Sequence, residues 1–563
     1  MIFLNTFSVS TLKNTAPVKK SNKIVKSKKY LTKSVILYLQ KLYMKTISQR
    51  HLLLVLSLIA MSFFYSCKKA SSGGSTPPPP PTNGSKQLSD ADSLKYLMYH
   101  IMMVSFDKGG RDTSFDLPTY YWYSDVPKLD PLSSTYDSAD VLLSKIKTYP
   151  VNPATGKPFD KYSFLDHGRV ADEIQKGVAG DLGMQVTYAT DKNNNSHLYV
   201  LFADKNSPAG HVGVTRGWEI TAVNGDANIS YDGGNGPHVQ KVINAVYKDA
   251  QASFTFKTPA GVSVTNSLAK AVYQINPVLF DSVYNVSGKS VGYFVFNSFS
   301  SVYNANKPTL TKTELDRVFS KFQAANISSI IVDLRYNGGG SVGTAEYIDS
   351  LIAPSGVAGK EMYHYLYNDK LTPMASQIGL DSKVLFKGGG GLQLQNVFFI
   401  GSRHTASASE LTLNNLKPYM NIKLVGDTTY GKPVGFFSFH ITDFDSTGKE
   451  KFLADLYAIN FETRNASNQG GYFDGLIPDA RAVDYVNVPW GNVADDHLLK
   501  IFKYISSGSF SRISASERMA ADPSLRLAMP GTIRPLRFDG MVDYRISNQM
   551  KKINSSTLRK KIK

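Results

Sequence analysis

Two residue types with the capacity for joint chemistry stand close together in this sequence. The first is a serine in the small-residue turn Thr405-Ala406-Ser407-Ala408-Ser409-Glu410, and the second is Lys432, 25 residues after Ser407. A serine at a helix start can present its hydroxyl while the next backbone N–H groups face the same space, which suits a developing oxyanion. A lysine kept neutral by burial can take that hydroxyl's proton. The same two residues also read as a helix N-cap and a solvated loop lysine, the commoner arrangement. His404, three residues before Ser407, is a rival base, but no carboxylate can be paired with it from the sequence.

The surrounding pattern decides between these readings. Val397-Phe398-Phe399-Ile400 is a short apolar run of buried-strand type, and Leu411, Leu413, Leu416 and Met420 then recur at roughly helical spacing. A second strand, Ile422-Lys423-Leu424-Val425, leads into Gly426-Asp427-Thr428-Thr429-Tyr430-Gly431-Lys432. The order is strand, serine turn, helix, strand, lysine loop. Upstream, Ile330-Ile331-Val332-Asp333-Leu334-Arg335-Tyr336-Asn337-Gly338-Gly339-Gly340 is an apolar strand ending in glycines that let backbone N–H groups approach a ligand. It lacks the Lys and Ser/Thr that a phosphate loop needs. Gly292-Tyr293-Phe294-Val295-Phe296 reads as another strand of the same core, and Asp474-Gly475-Leu476-Ile477-Pro478-Asp479 follows the lysine.

In this order these segments resemble the C-terminal-processing (tail-specific) serine proteases, peptidase family S41, over roughly Asp90 to Ser507. The family's D-L-R-x-N-x-G-G, S-A-S-A-S-E and T-x-G-K blocks all have counterparts here. The resemblance implies Ser407 as nucleophile, Lys432 as general base, and the backbone N–H groups of Ala408 and Gly340 as oxyanion donors. It makes Ser409, 23 residues before the lysine, a structural neighbour. Many members carry Gln four residues after the lysine; here Phe436 stands there, able to desolvate the amine but not to hydrogen-bond it. A third catalytic residue is therefore left open.

The fold class expected is α/β: a protease core over 277–507 with a crotonase-like sheet by resemblance, preceded by a PDZ-like β domain over 178–260 and a small helical domain over 88–177. In the last, Ser89-Asp90 can cap a helix carrying Leu94, Leu97, Met98, Ile101 and Met102. The aromatic run Tyr120-Tyr121-Trp122-Tyr123 reads as core packing, with a substrate-contacting lid as the alternative. Gly217-Trp218-Glu219-Ile220-Thr221-Ala222-Val223-Asn224-Gly225 resembles the G-D-x-I-x-x-V-N-G block of PDZ domains. Such domains add a peptide strand and cradle its terminal carboxylate. The cradle would be Leu182, Gly183 and Met184, with Asp181 placed to repel a carboxylate.

Residues 1–66 read as a leader rather than as fold. A well-formed signal peptide begins at Met44, the expected true start, and its apolar run ends at Ser66-Cys67. Cys67 is the only cysteine, which excludes an internal disulfide and a cysteine metal cluster. Its position resembles a bacterial lipobox and implies lipidation. The tether over 67–87 contains Ser71-Ser72-Gly73-Gly74-Ser75 and Pro77 to Pro81, a segment unable to pack a core. The formal charge of +18 does not indicate nucleic acid: eleven basic and no acidic residues precede His51, and six basic residues lie in Lys551 to Lys563. The tail, 508–563, shows no periodicity and reads as a basic, disordered segment. The ten histidines show no metal-ligand spacing, so no metal or cofactor is expected.

Taken together, the sequence predicts an envelope-located, lipid-anchored serine endopeptidase acting on proteins or peptides with free C-termini. The alternative is a catalytically silent member of the same fold that binds peptides.

Overall fold

A computed structural model describes residues 88–104, 117–191, 193–445, 447–510, 526–527, 540–545 and 553–554. The leader, Cys67 and the tether lie outside the described residues. Among the described residues no helix is long and apolar enough to cross a membrane.

Helix α1 (Asp90–Met103) starts where Ser89 Oγ accepts the Asp92 N–H at 3.1 Å, with Asp90 and Asp92 complementing the helix dipole in the first turn. Its predicted apolar stripe is buried. Helix α2 (Ala139–Ile146) is capped by Ser138, and strand β1 (Phe164–Asp166) follows. These elements pack into the same apolar cluster as the main body of the protein, where Leu97, Met98 and Leu142 join Val434 and Leu456.

Strands β2 (Met184–Thr190), β3 (Ser196–Ala203), β4 (Glu219–Val223), β5 (Gln251–Lys257) and β6 (Ser263–Ala269) form an antiparallel sheet in sequence order. The pair Arg526–Leu527 extends its β2 edge. This module has an apolar core of its own, built on Val186, Tyr188, Ile220, Phe254 and Phe256.

The second layer system begins with the hairpin β7 (Val278–Val286) and β8 (Lys289–Phe296). Helix α3 (Leu310–Ala324) leads to β9 (Ser329–Asp333), a glycine loop, the short β10 (Gly340–Ser341) and α4 (Val342–Ile352). Then come β11 (Glu361–Leu366), β12 (Asn396–Gly401), α5 (Ala408–Leu416), β13 (Ile422–Gly426), the long hairpin β14 (Val434–Phe444) and β15 (Glu450–Asn465), and α6 (Asp496–Ser507). A further strand, β16 (Met541–Val542), comes from the tail, and Ile553–Asn554 beyond it pairs parallel with β14.

One sheet runs β13-β12-β9-β8-β7, with Ala480–Arg481 at the β13 edge. β8, β9, β12 and β13 are mutually parallel, and β7 is antiparallel. Parallel strands buried on both faces read as unbroken apolar runs, which is why Ile330-Ile331-Val332 and Val397-Phe398-Phe399-Ile400 were legible as strands. The other sheet runs β10-β16-β14-β15-β11 and on to Lys383–Leu385, with β1 paired to β15. The tail, read from the sequence as aperiodic, thus supplies an inner strand of this sheet. Two residues are too few to produce a periodic signal.

Candidate active site

The parallel sheet sets the site. Ligand sites in such sheets form beyond the carboxyl ends of the strands. Here the neighbours β9, β12 and β13 end, respectively, in the glycine loop, the serine turn and the lysine loop.

Ser407 is the N-cap of α5, with φ 65° and ψ −115°. Positive φ is unusual for a residue with a Cβ, and the strain, about 1–3 kcal/mol, persists only where the surroundings enforce it. Gly339 is part of that enforcement. A Cβ there would lie 2.9 Å from Ala406 O, Ala408 N and Ser407 Cβ, so only glycine lets the loop press against the serine turn. Asn337 fixes the loop. Its amide donates to Phe296 O and accepts from the Gly339 N–H, both at 2.8 Å, and its carbonyl accepts from Ala406 N–H at 3.1 Å and Ser409 Oγ at 3.0 Å. Ser407 is fully buried, and its Oγ has no hydrogen-bond partner among the described residues. Ser409, by contrast, spends its hydroxyl on that structural bond.

Glu410 joins the serine turn to the lysine loop. Its carboxylate accepts the N–H groups of Ser407, Gly431 and Lys432, each at 2.8 Å, and the Thr429 hydroxyl at 2.5 Å. Burial pushes its pKa up, and these four donors oppose the shift. Sequence reasoning quoted Glu410 within its block but gave it no role, because three of its donors lie 19 to 22 residues further on.

Lys432 is buried, with its Nζ 4.1 Å from the Phe436 ring centroid and 5.4 Å from that of Tyr162. Phe436 thus meets the amine with a ring face. Tyr162 was not anticipated at all; it arrives from the N-terminal region and its hydroxyl donates to the Gly431 carbonyl. The aromatic run beside it is packed: Tyr120 OH donates to Asp160 at 2.6 Å, and Trp122 stacks on Phe159 with centroids 5.8 Å apart.

His404 does not bond the Ser407 hydroxyl. Its ring lies toward Tyr336, centroids 6.3 Å apart, and burial pulls its pKa down against the raising influence of Asp484. The other two backbone groups singled out from sequence, Ala408 and Gly340, flank the turn. Ala408 is the first residue of α5, whereas the Gly340 N–H donates to the carbonyl of Gly540 in the tail.

Beneath the glycine loop lies a buried ionic network. Arg335 reaches Asp333 at 2.7 Å, Asp484 at 2.8 Å and Asp495 at 2.9 Å. Arg216, from the antiparallel module, reaches Asp484 at 2.5 Å and Val488 O at 2.8 Å. Asp484, Asp495 and His497 are close enough to one another to hold a metal, but both carboxylates are already neutralised by these guanidinium groups.

In the loop read as a carboxylate cradle, Leu182 and Met184 are buried, and the Gly183 N–H donates to the chain's own Asp181 at 2.7 Å. Asp181 also accepts the Tyr273 hydroxyl at 2.8 Å. The side chain expected to repel an incoming carboxylate therefore holds one of the cradle's donors.

Residues 290–477 match the model of peptidase family S41, and the chain carries a domain of that family there. The match contains the glycine loop, Ser407, Glu410 and Lys432, while the antiparallel module and β16 lie outside it. The chain is 24% identical over 347 residues to the chloroplastic C-terminal processing peptidase of Tetradesmus obliquus, covering 58% of this chain and 66% of the relative. It is 23% identical over 282 residues to the carboxy-terminal processing protease CtpB of Bacillus subtilis (strain 168), covering 48% and 50%. In both cases the matched region is less than two thirds of the relative. A crystal structure from Bacteroides fragilis NCTC 9343, classed as an S41 protease, shares the fold with a TM-score of 0.54 at 21% identity, covering 74% of this chain and 97% of that one.

Proposed function

We propose that this protein is a serine endopeptidase that cuts proteins near their C-termini through a Ser407/Lys432 dyad. The observation that carries this reading is the buried, unpartnered Ser407 hydroxyl at a strained helix start, tied through Glu410 to the loop that buries Lys432. The reading requires Lys432, buried beside the rings of Tyr162 and Phe436, to act as a neutral amine. The neutral amine takes the proton of Ser407 as Oγ attacks the scissile carbonyl carbon. The resulting oxyanion accepts from the N–H groups of Ala408 and Gly340. Collapse of this intermediate breaks the C–N bond, and the leaving amine takes the proton back from Lys432. Water, activated by the same lysine, then hydrolyses the acyl-enzyme. No metal or other cofactor takes part in these steps. In cells, released C-terminal fragments should disappear when the wild type is replaced by Ser407→Ala; an unchanged fragment set would sink the reading.

The finer architecture in this reading is a crotonase-like core with a PDZ-like module at 178–260. The module would bind free, apolar C-termini through Leu182, Gly183 and Met184 once Asp181 yields the Gly183 N–H. Calorimetry should then show tighter binding of free than of amidated peptides. Equal affinities would leave the module as a spacer.

The location in this reading is a bacterial cell envelope, with Cys67 lipidated and membrane-anchored. Cys67→Ser should move the protein from membrane to soluble fractions or leave an uncleaved precursor. An unmodified Cys67, with a mature N-terminus elsewhere, would exclude the anchor.

A further inference from the structure

We propose that the segment Gly540–Arg545 is a tethered self-ligand lying in the peptide-binding groove of the candidate active site, where it must be displaced before a substrate binds. This rests on the reading of Gly340 as an oxyanion donor.

The strand order places β16 between β10 and β14. It runs parallel to β10, with Gly340 opposite Met541 and Ser341 opposite Val542, and meets β14 where Phe436 faces Val542. Strands in a sheet are spaced about 4.8 Å apart, so the slot between β10 and β14 is one extended chain wide, the width a peptide needs for strand addition. Its walls are active-site elements. The Gly340 N–H, the proposed oxyanion donor, holds the Gly540 carbonyl. On the other side the Asp543 N–H donates at 3.1 Å to the carbonyl of Phe436, the residue whose ring lies against Lys432. Gly435 is also shaped for a close backbone: a Cβ there would lie 2.8 Å from Met541 O.

The side chains are held as a ligand's would be. Met541 and Val542 are fully buried. Asp543 accepts the Tyr365 hydroxyl at 2.6 Å, and Arg545 reaches Glu346 at 3.1 Å. The groove therefore favours an extended segment with a small residue at the Gly340 position, two apolar residues and then an acidic one. A tethered occupant competes at an effective concentration on the order of millimolar, enough to suppress weak substrates and to admit strong ones.

The test uses the full chain. In the Ser407→Ala background, hydrogen exchange should show the Asp543 amide protected. A peptide of sequence 540–545 at high concentration should release that protection while the Gly340 amide stays protected. Asp543→Ala, and separately Met541→Asp, should tighten binding of the added peptide at least several-fold; with Ser407 restored, each should lower KM for an added peptide substrate and leave kcat near its original value. The Asp543→Ala change keeps the backbone pairing of the segment and removes only the buried carboxylate's bonds to the Tyr365 hydroxyl and Arg545, so it remains informative should Met541→Asp not fold. An Asp543 amide that exchanges freely, or one that stays protected at saturating peptide with no gain in affinity in Asp543→Ala, would overturn the proposal. Displacement without any peptide cleavage would leave the self-ligand standing and remove the peptidase reading. Cleavage that is indifferent to the tail variants would do the reverse.

Discussion

Replacing Ser407 with alanine is expected to lower peptide turnover by about 10⁶-fold, the scale seen when a serine nucleophile is removed. The fold should not suffer. The Oγ is buried without a partner, and a buried unpaired hydroxyl costs about 1–3 kcal/mol, so the variant should melt at the same temperature as the wild type or higher. Ser409→Ala provides the contrast. It removes the bond from Ser409 Oγ to Asn337 O, worth about 1 kcal/mol, and should slow turnover far less. Turnover by purified variants and melting by circular dichroism check both. A dead Ser409→Ala beside an active Ser407→Ala would place the nucleophile in the wrong register.

Arg335→Ala should destabilise the protein by about 3–5 kcal/mol, the cost of stranding buried partners of an ion pair. The loss of one guanidinium leaves Asp333 and Asp495 without it, and leaves Asp484 with Arg216 as its one guanidinium partner beside the Tyr336 hydroxyl. Arg335 also lies five residues before Gly340, so the glycine loop should loosen and activity fall with stability. The pH dependence has a definite sign. Burial alone would raise the pKa values of Asp484 and Asp495. Arg216 and Arg335 at Asp484, and Arg335 at Asp495, outweigh burial and hold both below the ordinary carboxyl value. Their contribution is complete above the unfolded-state pKa of about 3.9 and is lost as pH falls through the lowered native values. Arg335→Ala should therefore unfold at a higher pH than the wild type on acid titration, and at lower urea concentration at neutral pH. A stability loss below about 1 kcal/mol would show that the network is not the clamp its geometry suggests.

The chemistry at strand ends was legible because it is written in short local patterns. Each of the glycine loop, the serine turn and the lysine loop directly follows an apolar run, and in the fold those runs are adjacent parallel strands. Helices were legible for the same reason: the stripe Leu94, Leu97, Met98, Ile101 and Met102 behind Ser89 is the buried face of α1, Asp90–Met103, and the spacing of Leu411, Leu413 and Leu416 is that of α5, Ala408–Leu416. What escaped were contacts between distant parts of the chain. Tyr162 meets the lysine loop from 269 residues upstream. Arg216 joins Asp484 across 268 residues. The helices α1 and α2 show amphipathic spacing whether they form a core of their own or complete another, so the shared apolar cluster could not be read from them. At Gly183 the sequence raised the suspicion about Asp181 but could not say that its carboxylate already takes the loop's N–H.

The dyad itself is tested most directly by labelling with a fluorophosphonate probe, followed by peptide mapping. Wild-type protein should carry the label on Ser407. Lys432→Arg should not be labelled, because a guanidinium stays protonated near neutral pH and cannot act as the base. Label on Ser409, label that persists in Lys432→Arg, or wild-type protein that takes no label would contradict the Ser407/Lys432 mechanism.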